Sequence, residues 1–231
     1  MRRILLGALI PIGCVLLASC GTVSQTQVKN TTGTFSTVVV DAGHGGRDNG
    51  AYRRYGGAEK EATLDVATRL ARKLRQSHFR TVMTRSDDVF VPLEERAAIS
   101  NRQKNAIFVS IHFNDSRRRG IRGFETYYHS YLARDLAYRI QQRLITIPGS
   151  ANRGVKTANF RVLRKAIYPA VLVECGFLSN RTEGAGARSA DYREELADKI
   201  AEAIVDTRHG SGIYRTPATA SDTADSSGHT E

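Results

Sequence analysis

Short apolar runs alternate with amphipathic stretches of helical period along residues 36–209, and that alternation leaves few folds open. Residues 37–40, Thr-Val-Val-Val, form a continuous β-branched run, the pattern of a buried strand. Residues 59–76 carry Leu64, Ala67, Leu70, Ala71 and Leu74 at helical spacing with basic residues opposite, which predicts an amphipathic helix. Further strands are expected at 79–83, 107–113, 124–128 and 170–173. Further helices are expected at 92–104, 132–145 and 192–205, with Pro92 suited to a first helical turn. Strands separated by helices imply an α/β class: one three-layer domain with a mostly parallel central sheet flanked by helices. The order of the strands does not follow from this pattern.

The chain of 231 residues holds one such domain comfortably, and its two ends read differently from its middle. Arg2 and Arg3 precede an uncharged stretch, 4–17, too short for the roughly 20 apolar residues of a membrane span but suited to a secretory signal. It ends in Leu17-Ala18-Ser19-Cys20, which resembles a bacterial lipobox, so residues 1–19 are expected to leave and Cys20 to carry lipid. A plain signal peptide with an incidental cysteine is the alternative. With Gly21 rather than aspartate after the cysteine, the segment resembles outer-membrane lipoproteins, which implies the outer membrane over the inner one as the address. Residues 20–35 are polar and read as a flexible tether, 36–209 as the folded domain, and 210–231 as a disordered tail. Of three cysteines only Cys175 stays free inside the domain, so no intrachain disulfide is expected.

The formal charge of +11 calls for anionic partners or a merely solvated basic surface. A secreted, anchored chain points to acidic polymers and anionic head groups outside the cytoplasm rather than to nucleic acid. A monomer is expected.

Four residues stand where chemistry is possible. His44 lies in Asp41-Ala42-Gly43-His44-Gly45-Gly46, just past the first strand, where α/β sheets bind ligands. His112 closes the apolar strand Phe108-Val109-Ser110-Ile111 in the same way. Glu59 opens a helix, where the dipole favours a carboxylate in any case. Glu174 follows Ala170-Val171-Leu172-Val173, and an unpaired carboxylate buried there is costly. Each has a structural explanation by itself. Together, two imidazoles, one carboxylate and an open position make a common catalytic zinc set, and a second carboxylate can shuttle the proton.

The blocks that carry these residues, in their order and spacing, resemble the zinc-dependent N-acetylmuramoyl-L-alanine amidases. They are Asp41-Ala42-Gly43-His44-Gly45-Gly46-Arg47-Asp48-Asn49-Gly50-Ala51 with Glu59-Lys60, then Thr84-Arg85-Ser86-Asp87-Asp88 and Val91-Pro92-Leu93-Glu94-Glu95-Arg96. Val109-Ser110-Ile111-His112-Phe113-Asn114, Asn152-Arg153-Gly154-Val155-Lys156 and Pro169–Asn180 complete them, so the likeness spans about 38–204. It implies Zn2+ held by His44, Glu59 and His112, Glu174 as the catalytic base, and peptidoglycan as substrate, cut between N-acetylmuramic acid and L-alanine for wall remodelling or cell separation. Glu61 competes with Glu59 for the metal, but two residues on it is turned by about 200°. Asp115 and Cys175 depart from the family pattern; Asp115 with Arg117, Arg118 and Arg119 reads as a loop at the cleft rim. The inhibitory helix that some relatives insert before the catalytic glutamate has no counterpart in residues 113–173. A zinc carboxypeptidase acting on stem peptides, or a non-catalytic peptidoglycan-binding lipoprotein, are the alternatives.

Overall fold

The computed structural model describes residues 27–118 and 120–210; the signal, Cys20 and the tail beyond Gly210 lie outside the described residues. A six-stranded sheet forms the middle layer. Its strands are β1 (Thr37–Ala42), β4 (Arg80–Met83), β5 (Ala106–Asn114), β6 (Phe124–Tyr128), β7 (Asn152–Thr157) and β8 (Ala170–Phe177), in the order β4-β1-β5-β8-β6-β7. A short hairpin, β2 (Tyr52–Arg53) and β3 (Gly57–Ala58), stands apart. The helices are α1 (Glu59–Gln76), α2 (Leu93–Asn101), α3 (Arg134–Leu144), α4 (Arg161–Arg164), α5 (Arg181–Arg188) and α6 (Ala190–His209).

All neighbouring strands run parallel except β6 against β8, so the sheet is mostly parallel, as the alternation of elements implies. Side chains alternate faces along a strand, and both faces here are covered. Val38, Val40, Ile107, Val109, Ile111, Val171 and Val173 pack with α1, α3 and α6. Val39, Phe108, Ala170 and Leu172 pack with Val162 and Leu163 of α4 on the other side. Burial on both faces is why these strands read as unbroken apolar runs.

Helix α1 occupies the span its periodicity predicts. Helix α2 is shorter than 92–104: Pro92, at φ −59° and ψ 150°, is its extended cap rather than its first turn. β8 runs past 173 to Phe177, so Glu174 lies within a strand rather than after one. The strand β7 buries little, and helix α5 is short and buries only Glu183, Gly184 and Ala187, so neither has the large apolar residues that mark an element in the sequence. Composition also places the end of the tether too late, because residues 29–35 dock on the domain. The Lys29 amide donates to the Ile167 carbonyl at 2.7 Å, the Thr31 hydroxyl to that of Ala106 at 2.6 Å, and Phe35 is fully buried.

Candidate metal centre

The loop that follows β1 is set by main-chain oxygens. Two buried arginines, both remote in sequence, reach into it. Arg96 donates to the carbonyl of Ala42 and, at 2.5 Å, to that of His44; Arg85 donates to Ala42 at 3.0 Å and to Gly43 at 2.9 Å. Arg96 is in turn paired at 2.8 Å with Asp41, which also accepts from the hydroxyls of Thr84 and Ser110, both at 2.6 Å. Every oxygen of this buried carboxylate therefore has a donor, which is what makes its burial tolerable.

Held this way, His44 sits at φ +60°, a left-handed conformation that side chains rarely adopt. Its Nδ1 faces Asp48 Oδ2 at 2.9 Å and its Nε2 faces Glu59 Oε1 at 3.1 Å. The orienting carboxylate on one nitrogen frees the other for a ligand role. Gly43 lets a second ring approach: a Cβ there would lie 2.4 Å from His112 Cε1.

Glu59 is the first residue of α1 and is buried. Its carboxylate turns back to accept from the amides of Ala51 at 2.9 Å and Phe113 at 3.0 Å, with His112 Nδ1 also 3.0 Å away. One potential ligand atom from each of His44, Glu59 and His112 lies within 4.8 Å of the others. Glu61 is exposed on the outer side of the helix. Burial alone would raise the Glu59 carboxyl, yet the hydrogen bonds from His112 and His44 hold it well below the usual carboxylate range. Burial likewise pulls both imidazoles down, but the Glu59 carboxylate outweighs it and both are raised. Two nitrogens and one ionised oxygen converging like this suit a divalent cation, and zinc in particular among common ions.

Glu174 pairs in register with His112 across β5 and β8. Its Oε2 is buried with no hydrogen-bond partner, and burial is the first reason its carboxyl is pushed up to about 7; Glu59 and Glu125 add to the rise while His112 opposes it. Such an oxygen, otherwise orphaned, fits a site where a ligand or ion completes the set. Both histidines, Glu59 and Glu174 line one cleft of about 700 Å³, with the exposed apolar side chains of Phe90 and Phe160 at its rim.

Several contributors escaped the sequence reading. Asp48 and Arg96 lie inside the blocks 41–51 and 91–96, but nothing local marks Asp48 as the partner of His44 or Arg96 as a loop clamp. Glu125, opposite Glu174 on β6, is buried and accepts from Lys156 Nζ at 2.9 Å, Tyr127 Oη at 2.5 Å and Arg153. An acid inside the apolar run 124–128 was the available signal. Asp115 is paired with Arg53, at 2.7 Å and 2.5 Å, rather than free. Cys175 is buried, and burial pushes its thiol well up, which makes it an unreactive packing residue. Arg117 and Arg118 are exposed, and Arg119 lies outside the described residues.

The sequence profile of one protein family, described as N-acetylmuramoyl-L-alanine amidase, matches residues 38–206. The N-acetylmuramoyl-L-alanine amidase LytC of Bacillus subtilis is 39% identical over 173 residues, 73% of this chain and 35% of LytC, so the chain spans about a third of that protein's length. Among solved structures, the amidase AmiC2 of Nostoc punctiforme superposes with a TM-score of 0.71 at 38% identity, covering 74% of this chain and 95% of that one. An amidase of Clostridium difficile 630 gives 0.73 at 32% identity, over 77% and 99% respectively.

Proposed function

The chain belongs to the N-acetylmuramoyl-L-alanine amidase family, and from that premise we propose that it hydrolyses the amide between N-acetylmuramic acid and the first L-alanine of the peptidoglycan stem. The observation that carries this reading is the convergence of His44, Glu59 and His112 in one cleft with the unpartnered Glu174 carboxylate. His44 and His112 through one ring nitrogen each, and Glu59 through its carboxylate, would hold Zn2+. When bound, zinc supplies a Lewis acid that polarises the scissile carbonyl and makes water acidic near neutral pH.

The protein's own groups do the rest. Asp48 keeps the Nδ1 proton of His44 in place, so that Nε2 presents its lone pair. The amides of Ala51 and Phe113 hold the Glu59 carboxylate at a set angle. Glu174 takes a proton from the attacking water at its free oxygen and returns it to the nitrogen of the leaving alanine. Phe90 and Phe160 at the rim limit water around the reacting bond.

The same reading places the protein in the cell envelope, facing the periplasm and anchored by lipid on Cys20, with the outer membrane favoured. Leu17-Ala18-Ser19-Cys20 behind an uncharged run supports the anchor.

Digestion of defined muropeptides, followed by mass spectrometry of the fragments, tests the activity. Glu174→Gln should retain zinc but lose hydrolysis by about 10²–10⁴-fold. Fragments cut within the stem, or full activity in that variant, would overturn the bond or the base.

A further inference from the structure

A second concavity, of about 710 Å³, opens beside the cleft. Arg53, Arg54, Tyr55, Arg117, Asn180 and Arg181 line it, and none of its lining residues is acidic. Three separate parts of the fold bring the guanidiniums together: the β2–β3 hairpin, the loop after β5, and the first residue of α5. The Arg53–Asp115 pair joins the two hollows, since Asp115 lines the cleft and Arg53 the groove.

Only Arg53 is neutralised there. Arg54, Arg117 and Arg181 form no ion pair with a carboxylate among the described residues, so their charges face the hollow uncompensated. Like charges gathered round a hollow repel one another and favour an anion within it. The cations are all arginines, whose planar forks match a carboxylate with two parallel hydrogen bonds, and no lysine lines the groove. A bilayer presents a flat field of phosphates and suits protruding lysines and arginines. A hollow that continues a cleft suits an extended chain.

On the reading of the substrate given above, the two arms of the scissile amide differ in charge. The sugar arm has its lactyl carboxyl tied up in the amide, and the peptide arm carries free carboxylates. We infer that the groove lined by Arg53, Arg54, Arg117 and Arg181 binds the carboxylates of the peptide arm, which sets the direction in which the substrate lies.

The probe is a synthetic stem peptide with free carboxylates, compared with the same peptide carrying carboxamides. It lacks the amide to be cut and so reports binding alone. Fluorescence anisotropy on the full chain should give about tenfold tighter binding of the acidic form, the low end for a charge-assisted pair. The exposed substitutions Arg54→Gln, Arg117→Gln and Arg181→Gln, combined, should abolish that preference with an unaltered far-UV spectrum. Equal affinity for the two peptides, or a preference that survives in the triple variant, overturns the inference. So does loss of binding to phosphatidylglycerol vesicles in that variant with peptide affinity unaltered, which would make the groove a lipid contact. A wild-type protein that cuts no amide yet keeps the preference sinks the amidase reading and leaves the groove standing; cutting without preference does the reverse.

Discussion

Asp48→Asn isolates the orientation of a metal ligand from its identity. In the wild type the two carboxylate oxygens serve two donors: Oδ2 lies 2.9 Å from His44 Nδ1 and Oδ1 lies 3.0 Å from the Gly50 amide. Asparagine has nearly the same shape but one acceptor oxygen, so one of those donors must face its NH₂ group. A hydrogen bond to a charged group contributes about 1.5–3 kcal/mol. The Asp48 side chain is 44% exposed, so water replaces part of that and the low end applies. About 1.4 kcal/mol is a factor of ten in affinity, which matches the lower bound for loss of an outer carboxylate behind a metal-bound histidine. Zinc affinity should therefore fall about tenfold, read by competition with a chromogenic chelator at neutral pH. Glu61→Gln, on the exposed side of α1, serves as the control and should leave it unaltered. Wild-type affinity in Asp48→Asn, or a comparable loss in Glu61→Gln, would refute the assignment of ligands and their support.

Arg96→Met should leave Asp41 buried with only two hydroxyl donors, lowering stability by about 3–5 kcal/mol and the melting temperature on the order of 10 °C. Calorimetry that finds no shift would contradict the clamp. Gly43→Ala places a methyl against the His112 ring, so bound zinc should drop below one equivalent at a folding cost of about 1–3 kcal/mol; metal analysis alongside circular dichroism checks both. Glu194 ties α6 to α1 through Lys73, Arg69 and Arg72, and the first two of these pull its carboxyl from 4.5 down to about 2. A depressed carboxyl stabilises the fold above pH 4.5 and loses that contribution as the pH falls toward 2. Urea unfolding of Glu194→Gln should thus show a deficit of about 1 kcal/mol at pH 7 that closes near pH 2, and a pH-independent deficit would count against it.

What could be read in advance follows the range over which each signal acts. Buried parallel strands and α1 announce themselves because their apolar pattern is local and continuous, as at 37–40 and 59–76. The edge strand β7, Asn-Arg-Gly-Val-Lys-Thr, has one neighbour and little to bury, so its residues obey no alternation. His44 and Glu59 were legible at the ends of elements, whereas His112 and Glu174, expected just past their strands, lie inside β5 and β8. Their convergence was implied only by the resemblance, because it depends on β1, β5 and β8 being adjacent, an order that periodicity does not encode. The partners furthest from sight were those joined across the chain. Arg53 meets Asp115 62 residues away, and Arg96 meets Asp41 at a separation of 55.

The left-handed turn at His44 has a consequence for how such a chain changes over time. Glycine would occupy that φ of +60° with less strain, by roughly 1 kcal/mol, so drift toward a sturdier fold pushes against the histidine. Two arginines and an aspartate hold the loop in this conformation through bonds within the chain. A descendant freed from its reaction could relax there first, and a single backbone angle would record the retirement.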